Sequence, residues 1–181
     1  MALAHALMAS LIEESCSGYD LSKRFDGSVG FFWNASQQQI YRELAKLEDQ
    51  GWVSSEIIPQ QGRPDKKLYN VTDLGRKQLV EWIAQPGEPA PMKNELLVKV
   101  FAGYLVPRHI LLQELEHHRE AHLKKLSIYR DIEQQQFHQS KKLSVKDKLV
   151  YLTLRRGIRL ETDAIAWCDE ATELVRQLEE T

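Results

Sequence analysis

Apolar residues recur along this chain with two periods, and the switches between them divide it into short elements. Leu3, Leu7 and Leu11, flanked by Ala6, Met8 and Ile12, make a broad apolar stripe over residues 3–14, the pattern of a helix packed on two sides. Residues 17–25 read as a short second helix, with Ser17 as its N-cap and Leu21 and Phe25 turned inward. Residues 27–34 are punctuated by glycine and read as a loop, yet Phe31, Phe32 and Trp33 are too apolar to remain in water. Residues 36–51 carry both of their end signals. Ser36 and Gln39 have capping-box spacing, Gly51 suits a left-handed closing residue, and Ile40, Leu44 and Leu47 fall at i, i+4 and i+7 on one buried face. Gln37, Gln38, Tyr41 and Arg42 stay on faces open to a partner, with Gln39 and Lys46 at their margin.

Strand-like residue use follows at 52–58 and 67–71, and the turn-rich stretch 59–66 between them predicts a β-hairpin. Thr72 caps a further helix from Asp73, with Leu79, Trp82 and Ile83 on its inner side. Helix, helix, helix, hairpin, helix over residues 1–85 is the plan of a winged helix-turn-helix domain. Pro86, Pro89 and Pro91 then make residues 86–92 a semi-rigid linker.

Residues 93–181 read as helical throughout. A short apolar helix at 95–105 ends before Pro107, and long helices follow at about 108–139 and 145–179. In the last helix Thr153, Gly157, Leu160, Ala164, Trp167, Ala171, Leu174 and Leu178 alternate at spacings of four and three, the repeat of a helix packed along its length on another. A second stripe of Leu154, Ile158, Ile165, Cys168 and Val175 widens that face. Two long helices and one short one bury little alone, so a second copy of the chain is the expected remedy. The residues assigned to that dimer are Leu7, Leu11, Leu160, Ala164, Trp167, Ala171, Leu174 and Leu178. The fold class is therefore mainly α: an N-terminal winged helix-turn-helix and an α-helical dimerisation region with two long helices.

Composition adds limits. The chain has 181 residues, 43% of them hydrophobic, enough for a real core in one or two small domains. No apolar run approaches the roughly 18 residues a membrane span needs, and the first residues lack the basic start and clean apolar run of a signal peptide. Cys16 and Cys168 lie far apart without CxxC spacing and read as reduced thiols of a cytoplasmic protein.

A docked helix whose exposed first turns offer amides, a phenol and a guanidinium has the chemistry to read base edges in a major groove. The expected DNA-facing set is Lys23, Ser36, Gln37, Gln38, Tyr41, Arg42, Arg63, Lys66 and Lys67. Strand alternation lets only one of Lys66 and Lys67 face the duplex. Charge restrains the reading: residues 1–85 hold nine Lys or Arg against eleven Asp or Glu, so any attraction to phosphate is local. Residues 57–72 supply it, with Arg63, Lys66 and Lys67 against Asp65 alone. A dimer with about six to ten phosphate contacts would lose roughly 10³–10⁵ in affinity between 50 and 200 mM salt.

Three groups of residues carry the resemblance to a known family. They are Tyr19-Asp20-Leu21, then Ile40-Tyr41 with Leu44, Leu47 and Gly51-Trp52-Val53, then Gly62-Arg63-Pro64 with Lys66-Lys67, Tyr69, Val71-Thr72 and Gly75. The run Leu96-Leu97-Val98-Lys99-Val100-Phe101 after the linker fits as well. The chain resembles the PadR-like family of bacterial transcriptional regulators over nearly its whole length, in the longer form with a virulence-activator-type helical C-terminal region. The resemblance implies a homodimeric regulator, a repressor by first expectation, on a pseudo-palindromic operator of double-stranded DNA. The helix after Ser36 would enter the major groove, and the wing around Arg63 would reach the adjacent minor groove or phosphates. Family members that sense aromatic molecules suggest a small aromatic effector among Trp82, Phe101, Tyr104, Phe137 and Trp167, although aromatics at helical spacing are more often core. No cofactor is implied.

Other readings are weaker. His118 and His122 stand at i, i+4, but without a third well-spaced ligand they read as ordinary histidines and no metal is expected. No Gly-rich phosphate loop, metal triad or nucleophile elbow is present, so the chain is not read as an enzyme. The alternative is a winged-helix adaptor for other proteins, which the net −2 of residues 1–85 favours and the basic wing opposes.

Overall fold

The broad apolar stripe at the start of the chain forms helix α1 (Ala2–Leu11), the hub of the first of two units. The computed structural model describes residues 2–12, 14–26, 33, 35–60, 62, 65–89, 91–137 and 143–178. The chain divides into the units Met1–Pro89 and Ala90–Thr181. In the first, Leu7, Met8 and Leu11 share one core with Leu21 and Phe25 of α2 (Gly18–Asp26), Ile40, Leu44 and Leu47 of α3 (Gln37–Asp49), and Leu79 of α4 (Asp73–Ile83). The stripe is wide because α1 packs on all three helices. Leu7 and Leu11, expected at a dimer contact, are thereby enclosed within their own unit and present no surface to a second chain.

A three-stranded antiparallel sheet closes this unit, in the order β1 (Cys16–Ser17), β3 (Lys66–Val71), β2 (Val53–Ile58). The hairpin of β2 and β3 runs in register from Val53 opposite Val71 to Ile58 opposite Lys66. The strand β1 has no counterpart in the sequence reading, because two residues show no period. It pairs Cys16 with Tyr69 and Ser17 with Leu68, and α1 ends at Leu11 rather than 14.

The junction between α3 and the hairpin is tightly tied. Gly51 adopts φ +70° after α3, a left-handed conformation that suits glycine. The Thr72 hydroxyl donates to the Gly51 carbonyl at 2.6 Å and accepts from the Gly75 amide at 3.0 Å, so one side chain caps α4 and fixes the turn. A Cβ on Gly75 would collide with the Trp52 carbonyl oxygen, so only glycine lets α4 start there. Leu79 alone of the three residues expected on the inner side of α4 is buried; Trp82 and Ile83 are exposed within the unit.

In the second unit α5 (Glu95–Phe101) gives way to a 3₁₀ turn at Gly103–Leu105, so the apolar stretch 95–105 is two elements rather than one helix. Helix α6 (Arg108–Ile132) ends in a π-helical turn, Glu133–Phe137, and α7 (Val145–Gln177) returns antiparallel along it. The two stripes of α7 have separate tasks. Leu154, Ile158, Glu161, Cys168 and Val175 are buried. They spread along the length over which α7 packs on α6. The stripe that the spacing singled out is mostly left open, with Leu160, Leu174 and Leu178 exposed by 48%, 58% and 57%. Ala171 is the exception, buried with Leu96, Leu111, Leu115 and Val175. Among the described residues no helix is long and apolar enough to cross a membrane.

Candidate nucleic-acid interface

The helix α3 is built to hold one face in the core and offer the other. Its capping box is complete: the Gln39 amide donates to the Ser36 hydroxyl at 3.2 Å, and the Ser36 amide donates to the Gln39 side-chain oxygen at 2.8 Å. Ser36 and Gln39 are thus engaged with each other. Gln37, Gln38, Tyr41 and Arg42 are exposed, and among the described residues none forms a hydrogen bond or ion pair with the side chains of Gln37, Gln38 or Arg42. Tyr41 rests on the start of α2, where a Cβ on Gly18 would approach its ring to 2.5 Å.

Next to this face, α2 and the root of the wing share an ordered set of charges. Ser17 caps α2 by accepting from the Asp20 amide at 3.1 Å, and its hydroxyl donates to the Asp20 carboxylate at 2.8 Å. The same carboxylate holds Lys66 at 2.9 Å. Lys67, one residue on, turns to a different helix and donates to Glu48 in the last turn of α3 at 2.7 Å. Its ammonium also lies 5.2 Å from the centre of the Tyr69 ring, and Glu48 accepts from the Ser55 hydroxyl as well. Adjacent strand residues part to opposite faces, so each lysine meets its own carboxylate. Hydrogen bonds from the lysines, then from the serines, hold both carboxyls below the usual range, and Glu48 in turn raises Lys67. Lys23 lies 4.6 Å from the centre of the Tyr19 ring, and its hydrogen bond to Tyr19 raises its pKa. Arg63, the expected tip of the hairpin, lies outside the described residues, as do Phe31 and Phe32. Trp33 is exposed.

The other candidate residues are dispersed. Trp82 stacks on His5 in the first unit at 4.3 Å between ring centres. In the second unit Phe101 lies in an open cleft with Met92, Leu97 and Val98, Tyr104 is exposed, and Trp167 packs on the Leu96–Leu115 core. Phe137 stacks on Tyr151 at 4.9 Å. Ala164 is half-buried on α7. His118 lies 3.4 Å from Glu114, and His122 Nδ1 meets Glu161 Oε2 at 2.5 Å.

Asp20, Glu48, Ser17 and Gly18 did not emerge from the sequence as parts of this surface. Acidic residues weigh against a nucleic-acid partner in any count of charge, and only the folded hairpin brings Asp20 and Glu48 to the lysines. Tyr19-Asp20-Leu21 did enter as part of the resemblance, without a role.

Comparison with known proteins places both units. The transcriptional regulator PadR-like family matches residues 7–81, and the virulence activator alpha C-terminal family matches residues 92–176. A probable transcriptional regulator of Mycobacterium tuberculosis, Rv1176c, is 38% identical over 98% of this chain and 99% of its own length. The crystal structure of Bacillus subtilis PadR in complex with operator DNA superposes with a TM-score of 0.81 at 26% identity, covering 97% of this chain and 99% of that one. The Vibrio cholerae virulence activator AphA gives 0.78 at 30% identity over 96% and 98% of the two chains. With an operator-binding relative and a near full-length regulator matched from end to end, this chain belongs to the PadR-like family of transcriptional regulators.

Proposed function

We propose that this regulator reads operator DNA as a homodimer, with α3 in the major groove and the wing on the adjoining backbone. The observation that carries the reading is the capped α3, whose Ile40, Leu44 and Leu47 are buried while Gln37, Gln38, Tyr41 and Arg42 stand exposed. Amide and guanidinium side chains at those positions supply base-edge contacts. Lys23, Lys66 and Arg63 supply phosphate contacts, while Lys67, on the other face of β3, is engaged with Glu48; Ser36, still able to donate its hydroxyl proton, caps the approach. Support comes from the Bacillus subtilis relative, which was solved on operator DNA.

The first unit is the reading domain and the second the dimerisation domain, with residues 86–92 as the pivot between them. Leu160, Ala164, Trp167, Leu174 and Leu178 on α7 meet their counterparts in the partner. A two-fold dimer matches half-sites about 34–36 Å apart. A small aromatic effector bound beside Phe101 and Tyr104 would alter operator affinity by its unequal affinity for two arrangements of the domains. The sign of regulation is repression, as in the Bacillus subtilis relative described as a negative transcriptional regulator.

The test is fluorescence anisotropy against duplexes from upstream of the protein's own gene, with a scrambled duplex as control, at about 50 and 200 mM salt. Salt-sensitive preference for the upstream DNA, weakened by Arg63→Ala with Lys66→Ala, is the expected result. Equal weak binding to both duplexes would favour a protein–protein adaptor instead. Unchanged affinity after deletion of residues 107–181 would remove the dimer-spacing mechanism.

A further inference from the structure

A domain with more acidic than basic residues that nonetheless binds DNA must control where its few cations act. We infer that Asp20 is a specificity-determining residue: it competes with DNA phosphate for Lys66 and so suppresses sequence-independent binding. This rests on the reading of the α3 and wing surface as the DNA interface.

Three observations carry it. First, the Asp20–Lys66 pair adjoins the reading face. The cleft that contains it is lined by Tyr41 of α3, Gly18 and Tyr19 of α2, and Lys67 and Tyr69 of β3. Second, the carboxylate is fixed in place. The Ser17 hydroxyl donates to Asp20 at 2.8 Å while accepting the Asp20 amide at 3.1 Å, which aims Asp20 at Lys66. Third, the two wing-root lysines differ in how they are held. Lys67 is bound to a Glu48 that Ser55 also holds, and its ammonium lies beside the Tyr69 ring, which makes it a strut between α3 and the hairpin. Among the described residues Lys66 is held by Asp20 alone, whereas Lys67, equally open to solvent, has the Tyr69 ring as a second partner beside Glu48.

Exchange with phosphate therefore costs Lys66 one partner and Lys67 two, and is easier at Lys66. A backbone phosphate arriving at Lys66 must displace Asp20 and lie close to its charge. On unrelated DNA, where α3 makes no base contacts, nothing offsets that repulsion. On the operator the base contacts do. Non-specific binding is the electrostatic part of affinity, so a resident carboxylate weakens it selectively.

The experiment uses full-length wild type, D20N, K66Q and the D20N/K66Q double variant. Anisotropy is read on labelled duplexes tiling the region upstream of the protein's own gene and on a scrambled duplex, from about 50 to 200 mM salt. Asparagine retains an acceptor for Ser17, and circular dichroism melts confirm that each variant is folded at the assay temperature. D20N is expected to raise affinity for the scrambled duplex about three- to tenfold. It should also steepen the salt slope by roughly 0.9 for each further phosphate that is neutralised, two in a dimer. Operator affinity should rise less, so discrimination falls. In the K66Q background D20N should leave the slope unchanged. A D20N protein whose scrambled-duplex affinity and slope match wild type, while wild type still prefers its upstream DNA, overturns the role of Asp20 and leaves the DNA reading intact. An equal gain in the K66Q background overturns the exchange at Lys66 and leaves only diffuse repulsion. Absence of any salt-sensitive binding by wild type itself overturns both. Should D20N melt below the assay temperature, D20S takes its place with the same expected outcomes.

Discussion

A methyl group on Gly18 would sit 2.5 Å from Cε1 of Tyr41, closer than any real contact of that kind. The bare backbone at the start of α2 is therefore a shelf on which the Tyr41 ring lies, and the two helices of the helix-turn-helix touch through it. Because Tyr41 is exposed on its other side, the shelf sets the direction in which the phenol is presented.

Gly18→Ala is accordingly a test of aim rather than of stability. The ring is free to swing outward, and alanine is the better helix former, so unfolding free energy should change by less than about 1 kcal/mol. Operator affinity should fall by about 1 kcal/mol, roughly fivefold, as it does for Tyr41→Ala. The double variant G18A/Y41A should be no weaker than Y41A alone. An additive loss in the double variant would mean that Gly18 acts on DNA by some other route.

Much of this geometry was legible in the residues, and the reason differs by element. The ends of α3 were written in Ser36, Gln39 and Gly51 because capping depends on neighbours in sequence. The pairing of Lys66 with Asp20 was not, since it depends on how the hairpin folds over α2. In the same way Leu7 and Leu11 have the pattern of an interface helix, and periodicity alone does not tell three partners in one chain from one partner in another. On α7 both stripes were visible, but periodicity does not say which one faces α6, and the stripe that does carries Glu161. A carboxylate on the buried stripe looks like an interruption until His122 is found opposite it.

That pair gives a stability prediction. Glu161 is buried on α7, and His122 of α6 reaches it at 2.5 Å. Truncating one partner leaves the other unpaired in a place water reaches poorly. The His122 side chain is about a quarter exposed, so Glu161→Ala or His122→Ala should each cost about 1–3 kcal/mol, less than a fully enclosed pair. Replacing both with leucine should recover most of that loss. Urea unfolding of the three variants measures it, and a double-leucine protein as unstable as the single variants would show that the pair contributes more than it takes to bury.

Acid should act on the first unit through its wing. Glu48 is held below the ordinary glutamate value, chiefly by the hydrogen bond from Lys67. A carboxylate with a depressed pKa in the folded state contributes stability that is complete above the unfolded value, about 4.3, and lost as pH falls through the folded one. Lys67→Met removes the main cause of the depression. The difference in unfolding free energy between wild type and K67M should therefore be largest near neutral pH and shrink below about pH 4. A difference that stays constant from neutral pH to about pH 3 would mean that Lys67 stabilises the wing through its contact with Tyr69 and not through the ion pair.

The division of labour between the two stripes of α7 yields the last prediction. Leu160 and Leu174 are exposed on the second unit while Leu154, Ile158 and Val175 are buried in it, so the two sets should fail differently when altered. Leu160→Glu with Leu174→Glu places charge where a partner helix would lie and leaves the packing of α7 on α6 untouched. Sedimentation velocity should show the dimer replaced by monomer, with helical circular dichroism retained. Operator affinity should drop by at least about tenfold, because the second half-site no longer benefits from linkage to the first. Ile158→Ala, in contrast, should destabilise the unit by about 2–4 kcal/mol while the molecules that remain folded still dimerise. A dimer that survives the two glutamates would move the interface away from α7, and the exposed apolar residues of α5, Val98 and Phe101, would be the next place to look.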